Sequence, residues 1–349
     1  MPRPVVLIAL SVIGVMICPA SPAGESERDP RARQLAEQVR AKGWIAYSAR
    51  SENGTWDVFL SRPDGSQARN ITNTPNYEEA APMFRGDGKK LLYRQIARGS
   101  TINHDRWGFQ GRLVIADPDG GNAAVVGQDG QWPWATWSPD GKQIACLVPQ
   151  GIQIVDLASR KVVRSMPREG IYQQLFWSPD GEWFCGTGNH LGVMWTVVRL
   201  HLASGKLNAV HKFQSCTPAW FPDSQQIIFS SRPAGQTADG GYGWTQLWMA
   251  EGDGSSEQLV YGEDGCHVYG GGLSPDGQYV LFTKSLKDGG GSEDSGGTIC
   301  LMRFSDAPTI GGASEELRKE HAGTKDGPVL ELGRGWEPCW TCQEIGTVQ

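Results

Sequence analysis

The sequence predicts an all-β fold: a six-bladed β-propeller of four-stranded blades, its ring closed by pairing a C-terminal inner strand with N-terminal outer strands. Three observations predict it. First, a short phrase recurs, in which an aromatic or apolar anchor leads into a Ser-Pro-Asp-Gly turn and then a run of β-formers. It stands as Trp137-Ser138-Pro139-Asp140-Gly141 and Trp177-Ser178-Pro179-Asp180-Gly181. Weaker copies are Phe84-Arg85-Gly86-Asp87-Gly88, Trp220-Phe221-Pro222-Asp223-Ser224 and Leu273-Ser274-Pro275-Asp276-Gly277. The anchors at 84, 137, 177, 220 and 273 lie 53, 40, 43 and 53 residues apart, a period typical of repeats that cannot bury their own faces alone. Second, the 349 residues include 46 Gly, 21 Pro and 14 Trp, which favours tight turns between short strands over helices. Third, the two ends of the chain complement each other as parts of one blade.

Residues 1–23 read as a secretory signal. Arg3 supplies a positive start, Val5 to Ile17 is apolar, and Ser21-Pro22-Ala23 puts small residues before a cleavage point at Gly24. The apolar stretch is too short to span a bilayer comfortably, so no membrane span is expected once it is removed. Two other readings stay open, an uncleaved anchor and a lipoprotein acylated at Cys18. Bulky Ile17 stands where acylation expects a small residue, so the expected location is periplasmic or secreted. Residues 24–43 form a short N-terminal segment in which Asp29 caps a helix, Pro30 opens it and Gly43 lies past its end. Residues 44–349 are expected to form the propeller.

The unit around Trp137 sets the blade order: strand A from Trp134 to Trp137, B from Gln143 to Val148, C from Ile152 to Leu157, D from Lys161 to Ser165. Pro presets φ at the first central turn position, Asp tolerates the second, and Gly takes the left-handed position that follows. At the N-terminus, Trp44 to Ala49 and Asp57 to Ser61 read as strands B and C with no strand A before them. The missing strand appears at the other end, where Pro338-Cys339-Trp340-Thr341 mimics Pro218-Ala219-Trp220-Phe221. One blade shared between the termini closes the ring and removes its exposed edges.

Motifs for chemistry are scarce. No Gly-x-Ser-x-Gly elbow or phosphate loop occurs. Cys339-Trp340-Thr341-Cys342 has redox spacing but falls on a strand, which sends the two thiols to opposite faces. Cys146, Cys185 and Cys300 sit in strand-like runs as small hydrophobes. The six histidines form no paired metal motif. No cofactor and no metal are expected. The net charge of −6 offers no basic stripe for nucleic acid.

The segments ahead of each anchor carry the candidate site: Tyr77-Glu78, Trp132, Tyr172, His267 with Tyr269, and Trp336-Glu337. Two readings stay open for these aromatics. They form an acidic, aromatic channel mouth that clasps a peptide or stacks sugars, or they wedge between blades. Long insertions at 97–110, 232–242 and 286–297 fall in B–C loops on the same face of the disc, which is where binding is expected.

The Ser-Pro-Asp-Gly turns, together with Arg62-Pro63-Asp64-Gly65-Ser66-Gln67-Ala68-Arg69-Asn70-Ile71-Thr72, resemble the repeats of the TolB-like propeller family with its WD40-like PD40 repeats. The likeness spans roughly residues 44–349. It departs from TolB proper in having no sizeable α/β domain ahead of the blades. The resemblance implies an exported, non-catalytic scaffold that binds another envelope or extracellular protein. The alternative it implies is a carbohydrate-binding or polysaccharide-lyase-like propeller.

Overall fold

The computed structural model describes residues 29–100, 110–166, 170–190, 193–211, 213–232, 245–263, 266–286, 297–307 and 327–346. The expected signal, Cys18, the greater part of each long B–C insertion, and most of the C–D link of the last blade, Ser305 to Gly327, lie outside these residues. Asp29 does cap the first helix, accepting from the Arg31 backbone N–H at 2.8 Å, and α1 runs from Pro30 to Val39.

Blade 1 begins with β1 (Trp44–Arg50), β2 (Trp56–Ser61) and β3 (Arg69–Asn70). Blade 2 is β4 (Tyr77–Phe84), β5 (Leu91–Ala97), β6 (Arg112–Ala116) and β7 (Ala124–Val126); blade 3 is β8 (Ala135–Trp137), β9 (Gln143–Val148), β10 (Gly151–Asp156) and β11 (Lys161–Met166). Blade 4 is β12 (Ile171–Trp177), β13 (Trp183–His190), β14 (Val193–His201) and β15 (Leu207–Ala209). Blade 5 is β16 (Ser215–Trp220), β17 (Gln226–Ser231), β18 (Gln246–Glu251) and β19 (Gln258–Tyr261). Blade 6 is β20 (Cys266–Leu273), β21 (Tyr279–Leu286), β22 (Thr298–Arg303) and β23 (Leu330–Arg334), and β24 (Trp336–Thr341) follows it. These make six four-stranded antiparallel sheets, and β24 is the inner strand of blade 1, in the order β24-β1-β2-β3. Ile45 pairs with Trp340 and Ala46 with Cys339, so the ring closes as the termini predicted.

The recurring turn has a clear internal chemistry. The Ser138 hydroxyl donates to Asp140 at 2.7 Å and accepts from the Gln143 backbone N–H at 3.0 Å. Ser178–Asp180 and Ser274–Asp276 repeat both contacts. Gly141, Gly181 and Gly277 take φ of 67°, 82° and 71°, a region that costs a side chain and suits glycine. The Ser138 hydrogen bond holds the Asp140 carboxyl below the usual carboxylate range. These aspartates are turn-makers.

Each blade is buried on both faces, so the core is divided among the seams. One apolar cluster fills each interface between neighbouring blades. The 1/6 seam is reinforced by α1, whose Ala32, Leu35 and Val39 pack with Tyr279, Leu301 and Trp340. Across the same closure, the Trp340 indole donates to the Lys42 carbonyl at 2.7 Å, and Arg62 pairs with Glu344 at 3.0 Å. The Arg62 and Arg69 guanidinium groups lie 4.1 and 4.4 Å from the Trp44 ring centre. The described cysteines form no disulfide; Cys146, Cys185 and Cys300 are buried, where loss of solvation pushes their thiols up.

Candidate functional site: a blind indole well in the channel

The innermost strand of each blade lines the central channel, and its geometry repeats. In five blades the ladder to the second strand slips through a bulge just before the anchor. The residue at the bulge, Ala81, Gln174, Thr217, Gly270 or Glu337, adopts φ between 51° and 65°. A bulge frees backbone groups from the ladder and re-aims side chains. Here the freed N–H groups reach around the ring. Glu337 Oε2 accepts from the Ala81 N–H at 2.7 Å, Gln174 Oε1 from Thr217 at 2.7 Å, and Thr217 Oγ1 from Gly270 at 3.0 Å. Neighbouring blades are thus stitched at the channel wall. The sequence reading missed these bulges, although Ala81-Pro82, Thr217-Pro218 and Glu337-Pro338 carry a signal. A proline within an inner strand cannot serve the ladder and marks a bulge.

Above the bulges, Trp56, Ala80, Ala81, Ile96, Trp134, Tyr269 and Trp336 form one buried cluster. Tyr269 and Trp336 lie 5.5 Å apart between ring centres, and the Arg94 guanidinium stacks 4.1 Å from the Trp134 ring. These residues come from blades 1, 2, 3 and 6, so they plug the channel from the side where strands A begin.

Below the plug lies a cavity of about 450 Å³. Its walls are the anchors themselves, Phe84, Trp137, Trp177, Trp220, Leu273 and Trp340. It opens toward the A–B turns, where Gly86, Pro139 and Pro179 are exposed. Every anchor indole has committed its N–H to the scaffold. Trp137 donates to the Met83 carbonyl, Trp177 to Gly181, Trp220 to Phe176 and Trp340 to Lys42. The well therefore presents mostly carbon. Its polar groups are few, and Thr136 Oγ1, Gln174 Oε1 and Thr217 Oγ1 already accept from backbone N–H groups of the next blade.

The eight sequence candidates separate. Tyr269, Trp336 and Glu337 line the well at its closed end. The other five lie away from it. Glu78 is buried and accepts from the Trp56 N–H at 2.6 Å. Tyr77 is half-buried beneath the Arg112 guanidinium, 4.4 Å from its ring centre. Trp132 is wedged in the seam between blades 2 and 3, its indole donating to Gln153 at 2.9 Å. His267 is fully buried, stacked on Tyr269 and 3.1 Å from the Thr245 hydroxyl. Tyr172 is half-buried, and loss of solvation pushes its phenol up.

Two buried constellations had no signal in the sequence. Ser231, His211 and Glu257 form a chain in which His211 Nε2 meets Ser231 Oγ at 2.8 Å and Nδ1 meets the Glu257 carboxylate. The order resembles a hydrolytic triad, but Ser231 is fully buried and no substrate can reach its hydroxyl. It fastens the blade 4–5 crossover to blade 5. The second is Asp57 on β2 with Glu79 on β4, both with no exposed surface. Gln95 donates to Glu79 at 2.8 Å and Asn70 to Asp57 at 2.5 Å. Burial first, and the neighbouring Asp57 carboxylate with it, push Glu79 up to about 7 against the lowering effect of Gln95 and Thr74. Among the described residues no group of three or more His, Cys, Asp or Glu is placed to hold a metal, and no helix is long and apolar enough to cross a membrane.

No family model and no curated protein matches the sequence. Solved structures do match the fold. TolB from Acinetobacter baumannii superposes with a TM-score of 0.59 at 19% identity, covering 89% of this chain and 70% of that one. In fold, the ring is TolB-like. A protein assigned as TolB in Agrobacterium tumefaciens gives 0.51 at 19% identity, covering 84% and 90%. A chain of a nidogen–laminin complex gives 0.55 at 9% identity, covering 85% and 98%. At these identities the shared property is the architecture.

Proposed function

We propose that this chain is an exported, non-catalytic TolB-like propeller built from PD40-type repeats, and that its indole well holds a segment of another envelope or extracellular protein. The well is the observation that carries this reading. A rigid, mostly apolar socket of this kind gains affinity by burying an apolar anchor, and large aromatic walls dominate such contacts. The expected secretory signal at residues 1–23 supports a partner outside the cytoplasm. The same lining argues against carbohydrate. Sugar hydroxyls that pack against the four anchor indoles, whose N–H groups are committed to backbone carbonyls, would lose water without replacement hydrogen bonds there, at about 1–3 kcal/mol each.

Gly86 provides the test. It sits exposed on the rim with negative φ, and a Cβ there would meet only the Pro139 carbonyl, at 3.8 Å. Gly86→Trp is therefore expected to cap the well without disturbing the ring. Capture of the partner from the native compartment should fall about tenfold or more, with the melting temperature unchanged. Undiminished capture by the capped variant would contradict the reading.

A further inference from the structure

Blade 3 ends in an outer strand unlike the others. β11 runs for six residues, whereas β3, β7, β15, β19 and β23 run for two, three, three, four and five. It is the last strand in the order β11-β10-β9-β8, so its outward edge faces no further strand of the blade. Five successive positions, Lys161 to Ser165, are exposed, so β11 stands clear of the blades on either side. Among the described residues no backbone hydrogen bond beyond the β10 ladder engages positions 161–166. Propellers ordinarily leave only short, protected edges, because a long one offers a row of free N–H and C=O groups to any extended chain. Two side chains add an apolar surface to this edge. Ile154 pairs with Arg164 and Val155 with Val162, which leaves Val163 as an extra residue at a bulge. A bulge re-aims side chains, and here Val162 and Val163 are both in solvent, 41% and 54% exposed.

The charges choose the occupant. Arg160, Lys161 and Arg164 are exposed, and among the described residues none of them pairs with a carboxylate. Arg164 gives an N–H to the Leu202 carbonyl at 2.5 Å, a neutral partner. Asp156 stands opposite Lys161 in the ladder but is turned onto Ser159, accepting from its N–H at 2.8 Å and its hydroxyl at 2.6 Å. In a chain of net charge −6 this rim is therefore locally cationic. A second copy is a poor match for it. The antiparallel register that sets Val162 against Val163 of another copy also sets Lys161 against Arg164, and like charges directly opposite are destabilising. An acidic strand turns the same contacts into attractions, while its own backbone fills the free edge.

We propose that the free edge of β11 is a second docking surface, which takes up an extended, acidic segment of a partner protein as a fifth strand of blade 3. Branched apolar residues of that segment cover Val162 and Val163, and its carboxylates meet Arg160, Lys161 and Arg164. This surface lies on the outer rim, three strands out from the channel wall, and does not depend on the well.

Fluorescence anisotropy of labelled peptides, titrated with the whole protein, tests this. The probe is a capped peptide of about seven residues in which glutamate and valine alternate, with glutamate at both ends. One control replaces its glutamates with lysine. A second replaces its valines with proline, which keeps the charge and removes strand pairing. The glutamate–valine peptide should bind about tenfold tighter than either control, and its addition should slow hydrogen exchange at amides within 161–166. Lys161→Glu is an exposed change that leaves the fold intact. It should weaken the glutamate–valine peptide and tighten the lysine peptide, each about fivefold. Gly86→Trp should alter neither; loss of the peptide in that variant moves its site to the well and overturns the proposal. Equal binding of the glutamate and lysine peptides, unchanged exchange at 161–166, or no binding up to about 5 mM overturns it too. In sedimentation of the protein alone, Val163→Asp should change nothing. A dimer that this variant dissolves gives the edge to a second copy instead and contradicts the acidic partner.

Discussion

Trp340→Ala is expected to cost the ring about 3–5 kcal/mol and to lower its melting temperature by on the order of 10 °C. The residue is 7% exposed and stands where three dependencies meet. It pairs with Ile45 in the ladder that closes the ring, packs with α1 and with Tyr279 of blade 6, and ties its indole to Lys42. Truncation leaves a cavity at the closure and removes that hydrogen bond together. Deleting residues 336–349 should be worse, because it also strips Trp336 from the channel plug and bares the long edge of β1. A domain whose whole stability is of order 5–15 kcal/mol does not survive that as a closed ring. The control is Trp195→Ala, at a tryptophan that is 38% exposed, which should change stability by no more than about 0.5 kcal/mol. Calorimetry of the three proteins checks the order. Equal melting of Trp340→Ala and wild type would show that the closure is not held by β24.

The second large effect is a dependence of stability on pH, written into Asp57 and Glu79. In the unfolded chain Glu79 loses its proton near 4.5, whereas in the folded ring burial and Asp57 hold it to about 7. Between those values the folded state binds more protons than the unfolded one. The associated stability is fully present below about pH 4.5, declines as the pH rises, and is lost above about 7. Glu79→Gln mimics the protonated form, since its amide accepts as before and donates toward Asp57. The variant should match wild type near pH 4 and exceed it at pH 8 by about 1–3 kcal/mol. Thermal melts of both proteins at the two pH values measure that double difference, in which titrations elsewhere cancel. Parallel pH profiles would show that the pair shares no proton.

What was legible in the sequence follows from range. The Ser-Pro-Asp-Gly turn is local, each of its hydrogen bonds closing within five residues, so the phrase alone gave every A–B corner and the blade spacing. The helix cap at Asp29 is local too. Side-chain direction within the inner strands was not legible, because blades packed on both faces lose the alternation that separates inside from outside. β1, for instance, is buried at six successive positions. That is why the aromatics at 132, 269 and 336 could be picked out, but not sorted into a seam wedge and a channel plug. The well walls were in view throughout, as the repeat anchors, yet read as scaffold. Their second role depends on six residues brought together from positions as far apart as Phe84 and Trp340. The Asp57–Glu79 and Ser231–His211–Glu257 contacts likewise join separate strands and segments, and no spacing in the sequence announces them.

Photo-crosslinking from two positions tests most directly whether the A–B side of the channel is the docking face. Benzoylphenylalanine would replace Gly86 at the rim of the well in one protein and exposed Trp195, on the B–C hairpin of the opposite face, in another. Irradiation in the native compartment should yield a discrete protein adduct from position 86 and none from 195. An adduct from 195 with none from 86 would contradict the account and move the site to the other face of the disc.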